Sequence, residues 1–252
     1  MIPYSGTMAD EATALDILAS QKRYYDMRAD RESEWLGSSG DWDYGVEQNL
    51  AWERERDAIA QRLESSVGPA IRLLEIAAGT GGWSSTIALQ GAGLAIVTDT
   101  SERALALNPG VRRGETIKVL ADAFCLPFRP ACFDRIVIAQ WLSHVPLVRV
   151  LPFLGSVAAL LREGGHLFVV DAVKTTDNDY AERVVSARFG AVAHEQMRPV
   201  GGTNHRVVKT YHTQDSLVDA ASRAALRLEE FQSGAFFFSA QLTPISTGSR
   251  ST

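Results

Sequence analysis

Glu75 stands four residues ahead of Gly79-Thr80-Gly81-Gly82, inside a short apolar run that reads as a strand. Glycines at such a turn carry no side chains, so backbone N–H groups can approach a ligand closely. A pyrophosphate would be repelled by a carboxylate beside its cradle, whereas a cationic ligand is attracted by it. Asp99 ends the next apolar run, 24 residues after Glu75, where a carboxylate accepts from ribose hydroxyls. Asp122 ends a third run; it can accept from the exocyclic amine of adenine, with Ala123 and Phe124 offering backbone and apolar contact. Asp is a common turn residue after strands, so each acid alone is ambiguous. Their order along three consecutive strand ends points to a nucleoside with a cationic portion and no phosphate. S-adenosylmethionine (SAM), with its ammonium, sulfonium and carboxylate, meets that description. A nicotinamide dinucleotide would call for a third glycine two residues after Gly82, where this chain has Ser84, and would leave Glu75 unexplained.

Methyl transfer from a sulfonium is an in-line displacement with an activated leaving group, so alignment and exclusion of water matter more than acid–base machinery. A hydroxyl or carbon nucleophile still gains from a base. His144, shortly after the fourth strand, is the candidate; its alternative is to cap the helix that starts near Pro146. Trp141 is a candidate cover for adenosine or substrate, or else a core residue. Gln140 is a candidate partner for a polar group of either. Arg206 and Lys209 begin a late strand and could meet an anionic substrate group such as a carboxylate or phosphonate, or simply be solvated. His194, His205 and His212 share no metal-ligand spacing with acids or thiols, so no metal is expected.

The elements that must position these residues alternate strand-like and helix-like, the pattern of an α/β protein with a mainly parallel sheet. Strands are expected at 72–78, 94–98, 116–121, 133–139 and 166–171, with two more at 206–212 and 236–242. Helices are expected at 83–90, 101–107, 146–162, ending at Gly164-Gly165, and 213–227. Residues 11–65 are helical in pattern, interrupted at Gly37-Ser38-Ser39-Gly40, and read as a lid. The expected organisation is an N-terminal cap over 1–65, a core over 66–244 and a disordered tail over 245–252. Within the core, 174–205 form a substrate-shaping insertion with a helix near 180–194 and a polar Gly201-Gly202-Thr203-Asn204 loop.

The chain has 252 residues, 46% hydrophobic and 22% charged, enough for one sizeable core, and a formal charge of −5. Its 25 Lys and Arg are scattered, so nucleic acid is a poor partner and a small molecule is the expected one. Cys125 and Cys132 suggest neither a disulfide framework nor a CxxC metal site. No leader pattern opens the chain and no apolar stretch is long enough for a membrane span, so a cytoplasmic location is expected. Oligomeric state is not legible.

Glu75 with Gly79-Thr80-Gly81, Asp99-Thr100-Ser101, Asp122-Ala123-Phe124 and Leu161-Arg162-Glu163-Gly164-Gly165 together resemble the ordered motifs of class I SAM-dependent methyltransferases over about residues 20–242. The resemblance implies a Rossmann-like seven-stranded sheet with an antiparallel last strand. It implies SAM as cofactor, S-adenosylhomocysteine (SAH) as product, and no metal. It places Ala77, Thr80 and Thr100 with the acids at the cofactor. Tyr24-Tyr25-Asp26-Met27-Arg28-Ala29, Gln140-Trp141-Leu142-Ser143-His144-Val145-Pro146 and Arg206-Val207-Val208-Lys209 are similar to segments of a bacterial small-molecule group that includes a phosphonate O-methyltransferase of dehydrophos biosynthesis. By that similarity Tyr24, Tyr25 and Arg28 close over the cofactor, with Arg28 toward its carboxylate. The 174–205 insertion departs from that enzyme, so its substrate does not carry over. The implied activity is methylation of a small molecule of secondary metabolism, oxygen ahead of nitrogen or carbon. The alternatives are a SAM-binding protein that does not methylate and, further off, a dehydrogenase.

Overall fold

The computed structural model describes residues 8–29, 45–64, 67–85, 92–110, 115–174 and 180–245. The Gly37-Ser38-Ser39-Gly40 break, most of the helix expected at 83–90 and nearly all of the tail lie outside them. Two helices come first, α1 (Met8–Arg28) and α2 (Val46–Glu64). The alternating core follows: β1 (Arg72–Ile76), β2 (Leu94–Asp99), α3 (Glu102–Leu107), β3 (Glu115–Leu120), β4 (Phe133–Ala139), a 3₁₀ turn at Leu142–His144, α4 (Leu147–Leu160) and β5 (Leu161–Ala172). Three antiparallel strands come next, β6 (Glu182–Arg188), β7 (Ala191–Val200) and β8 (Thr203–Thr210); α5 (Gln214–Arg223), β9 (Leu226–Ser233) and β10 (Phe237–Pro244) close the fold.

The main sheet has the order β3-β2-β1-β4-β5-β10-β9. β1 pairs in parallel with both β2 and β4, and β10 runs antiparallel to β5 and β9. The central strands are near-continuous apolar runs because both faces of the sheet are covered. On one face Leu74, Ile76, Ile136 and Ile138 pack with Phe153 and Val157 of α4 and Leu217 of α5. On the other, Leu73 and Val137 pack with Ile59 and Leu63 of α2. Strand order reverses at β1, so a crevice opens beyond the carboxyl ends of β1, β2 and β4, where open α/β sheets bind ligands.

The structure corrects several expectations. The helix expected near 180–194 is instead the hairpin β6–β7. Phe189 and Gly190 both have positive φ (55° and 70°), the two-residue turn whose twist suits a hairpin. Gly201 and Gly202 repeat the device at φ 57° and 78° between β7 and β8, so the Gly-Gly read as a loop is a hairpin turn. The strand expected at 206–212 is β8, in a separate sheet of order β6-β7-β8, and the sixth strand of the main sheet is β9. β9 was hidden by its polar sequence, LRLEEFQS, which suits an edge strand half open to solvent. The helix before it is also shorter than expected: a capping box of Thr213 and Ser216 starts it, and Ala225 at φ 57° turns the chain into β9. The helix expected to end at Gly164-Gly165 stops at Leu160, and the glycines lie within β5.

The free edge of β8 is covered by α1. Ser20 Oγ accepts from the Arg206 N–H at 2.9 Å, and Gln21 Oε1 accepts from the Val208 N–H at 3.1 Å, so side chains replace a missing strand partner.

Candidate active site

A cavity of about 1250 Å³ lies over the carboxyl rim of the main sheet. Its floor is the ends of β1 to β5; its roof is α1, α2 and residues of β7 and β8. Of the residues picked from sequence, Tyr25, Arg28, Glu75, Ala77, Gly79, Thr80, Asp99, Thr100, Asp122, Ala123, Phe124, Gln140, Trp141, His144 and Lys209 line it.

Three of them do not reach it as expected. Tyr24 is buried behind the wall with Val200 and Val207, its hydroxyl accepting from Arg28 Nη1 at 2.6 Å. Gly81 serves packing: a Cβ there would sit 2.6 Å from Pro109 and 2.8 Å from Asn108, so the bare position admits Asn108. Gly79, at φ 56°, has nothing within 4 Å of where a Cβ would stand, leaving open space on the cavity side. Arg206 is held outside by Glu195, at 2.8 Å from Nε. The register explains this. Residues directly opposed across β7 and β8 share a face. Arg198 opposes His205 and His194 opposes Lys209, which puts Arg198 and Lys209 on one face. Arg206, an odd number of residues from Lys209, falls on the other.

At the glycine turn, Glu75 is 1% exposed and accepts from Ser84 Oγ at 2.5 Å. Burial raises its carboxyl to about 7 against the relief from Ser84, and the negative charge of Asp99 adds to the rise. Asp99 bridges two backbone amides, accepting from Gly79 N–H at 2.9 Å and Ser101 N–H at 2.8 Å, so its carboxylate is fixed at the mouth of the turn. Burial raises it as well, opposed by those amides. Asp122 accepts from the Phe124 N–H at 2.9 Å. Ala77 and Gln140, at the ends of adjacent strands, both have positive φ (55° and 53°), backbone strain of about 1 kcal/mol each concentrated at this rim.

At the far end, His144 is 5% exposed and both ring nitrogens are engaged. A carbonyl can only accept, so the 2.6 Å contact with Val208 O puts the proton on Nδ1. The bare Nε2 then accepts from Tyr25 OH at 2.8 Å. Burial, with Lys209 and Arg198 nearby, holds His144 well below the usual histidine range and therefore neutral. Burial pushes the Tyr25 hydroxyl up to about 12. Residues that sequence reading missed join here. Lys209 Nζ donates to Ser143 Oγ at 2.8 Å and Asp171 Oδ1 at 3.3 Å, while Asp171 Oδ2 accepts from the Ser143 N–H at 2.8 Å. Ser143 lies inside the Gln140–Pro146 segment, and Asp171 ends the fifth strand as Asp99 ends the second; that position was the available signal. Among the described residues, no group of three or more His, Cys, Asp or Glu is placed to hold a metal, and no helix is long and apolar enough to cross a membrane.

The donor set fits SAM: carboxylates rather than cations beside the glycine turn, open space at Gly79 and an acid at each of three strand ends. The fold is that of the class I SAM-dependent methyltransferases, and residues 73–165 match the family model of a methyltransferase domain. The relatives are as follows. The chain is 32% identical over 150 residues to a ubiquinone/menaquinone biosynthesis C-methyltransferase UbiE of Rhizobium leguminosarum bv. trifolii (strain WSM2304), covering 56% of each protein. It thus spans about half the length of the curated relatives it matches. Among solved structures it resembles the DhpI–SAM–HEP complex, with TM-score 0.67 and 19% identity over 91% of this chain and 98% of that one. It also resembles the CcbJ methyltransferase from Streptomyces caelestis, with TM-score 0.60 and 18% identity over 88% and 98%.

Proposed function

We propose that this protein transfers a methyl group from SAM to a small molecule, with an oxygen acceptor favoured over nitrogen or carbon and a role in secondary metabolism. The observation that carries the reading is one cavity that joins the Glu75, Gly79, Asp99 and Asp122 rim to a chamber roofed by α1, α2 and the second sheet. A roofed chamber suits a small acceptor better than a polymer.

SAM, when bound, supplies a methyl group on an activated sulfonium. The chain's residues hold and enclose it. Asp99, oriented by its two amide bonds, accepts from ribose hydroxyls, and Asp122 accepts from the adenine amine beside Ala123 and Phe124. Glu75 attracts the cationic portion, directly or through water, while Ala77, Gly79, Thr80, Thr100 and Gln140 form the adjoining walls. Arg28, backed by Tyr24, faces the carboxylate, and Tyr25 covers the site. Trp141 and Lys209 face the acceptor. His144 is the candidate base, and a proton leaving an acceptor hydroxyl reaches its Nε2 by way of Tyr25 OH. Oxygen is favoured because the reacting end presents the Lys209 ammonium and the Tyr25 hydroxyl oxygen backed by His144 Nε2, which suit an acceptor hydroxyl.

Methyl-labelled SAM is incubated with a metabolite pool and the labelled product identified; a labelled O-methyl product is expected, while a product labelled on carbon or on a polymer would overturn the corresponding part of the reading. His144→Gln is expected to slow turnover at least tenfold with SAH affinity nearly intact. Full activity in that variant would end its role as base.

A further inference from the structure

Resting on the methyltransferase reading of the cavity, the charge balance at its acceptor end carries a further step. The titratable groups facing that end are Tyr25, Arg28, His144, Tyr180, Arg198, Lys209 and Tyr211, with Asp171 beneath. Asp171 is committed to Lys209 and to the Ser143 amide. The nearby acids of the second sheet are also committed: Glu195 holds Arg183 and Arg206, and Glu182 meets Lys174 and Gln196. Arg198 is 6% exposed, and among the described residues it forms no ion pair with a carboxylate. Its Nε and Nη2 donate to the amide oxygen of Gln196 at 3.0 and 2.6 Å. Its guanidinium lies 5.8 Å from the Tyr24 ring centroid and 5.0 Å from that of Tyr180. Gln196 is itself fully buried, and its amide nitrogen donates to Glu182 Oε2 at 3.1 Å, which fixes which end of the amide faces Arg198. A buried guanidinium is therefore aimed by a locked neutral partner and has no carboxylate counter-charge among the described residues. Burying a charge in that condition is costly unless an anion completes it. Its field reaches Lys209 and His144, both of which it helps push down in pKa.

We propose that Arg198, oriented by Gln196 and assisted by Lys209 across the β7–β8 pair, is the anchor for an oxyanionic group on the acceptor, so that the substrate class is a small organic acid. A planar carboxylate and a tetrahedral phosphonate share the required chemistry, since a guanidinium bonds either through two N–H groups.

SAH-loaded protein is titrated by calorimetry with benzoate, phenylphosphonate and the neutral isostere benzamide. SAH binding is measured first, and its failure in the wild type would sink the methyl-donor reading itself rather than the anion site. With SAH bound, one or both anions are expected to bind roughly tenfold or more tightly than benzamide, and their ratio tells a planar from a tetrahedral group. Arg198→Gln is expected to abolish that preference while SAH affinity stays unchanged. Equal binding of benzamide, absence of binding by both anions, or an undiminished preference in Arg198→Gln would overturn the proposal. So would a loss of SAH affinity in that variant with the fold intact by circular dichroism, because Arg198 would then belong to the cofactor carboxylate. If Arg198→Gln does not fold, Gln196→Leu decides: it keeps the charge and removes its aim, and an unchanged anion affinity there overturns the assignment.

Discussion

Burial of Glu75 outweighs its one short hydrogen bond from Ser84, and the carboxyl is raised from 4.5 to about 7. The sign follows from linkage. Between those values the folded protein binds more protons at this site than the unfolded chain, so stability falls as pH rises from about 4.5 to 7. The loss from this residue is on the order of 3 kcal/mol. Urea unfolding at pH 5 and pH 8 is expected to show this decline in the wild type and a shallower one in Glu75→Gln; identical slopes would show that Glu75 does not titrate in this range. A cationic ligand favours the ionised form, so SAM affinity is expected to rise from pH 5.5 to 7.5 in the wild type and to be flatter in Glu75→Gln, read by calorimetry. The residues of the glycine rim were legible because each sits at the end of its own strand, a local property. Arg198 was not, since nothing within its own strand separates it from Arg206; only the partner strand assigns the face.

Among the elements, α1 bears on the site through Gln21. Its amide donates to His144 O at 3.0 Å and accepts from Val208 N–H at 3.1 Å, tying helix, 3₁₀ turn and β8 together while 2% exposed. Gln21→Leu leaves a buried N–H and a buried C=O without partners and is expected to cost about 2–3 kcal/mol in urea unfolding. A loss below about 0.5 kcal/mol would show that α1 docks by apolar contact alone. α2 is tied down at the opposite rim, where Glu55 accepts from the N–H groups of Ala235 and Phe237 at 3.0 and 2.7 Å. Both helices were expected from their pattern. Their docking was not, because it uses polar side chains against backbone edges that exist only after the sheets form.

For the molecule as a whole, the cavity joins floor and roof, so a ligand that fills it links elements far apart in sequence. SAH at one hundred times its dissociation constant adds about 2.7 kcal/mol to stability. For a chain of this size that corresponds to roughly 5–10 °C in Tm. A thermal scan is expected to show that shift with SAH and none with NAD; the reverse would contradict the assignment of the rim. Sequence alone determined the parallel core and the acids at three strand ends, while the antiparallel last strand followed from the resemblance to the methyltransferase family. The core and the acids depend on short apolar runs alternating with helical segments, on turn chemistry and on the residue that ends each run, all readable over a few positions. The tertiary structure decided the rest. It made the helix and loop expected over 180–204 into strands, placed the strand expected at 206–212 with them in a separate sheet, supplied β9 as the sixth strand, and brought Ser143, Asp171, Arg198 and Lys209 together from four separate elements. Register and long-range pairing set those contacts, and a shift of one residue in β8 would have turned Lys209 outward and Arg206 in.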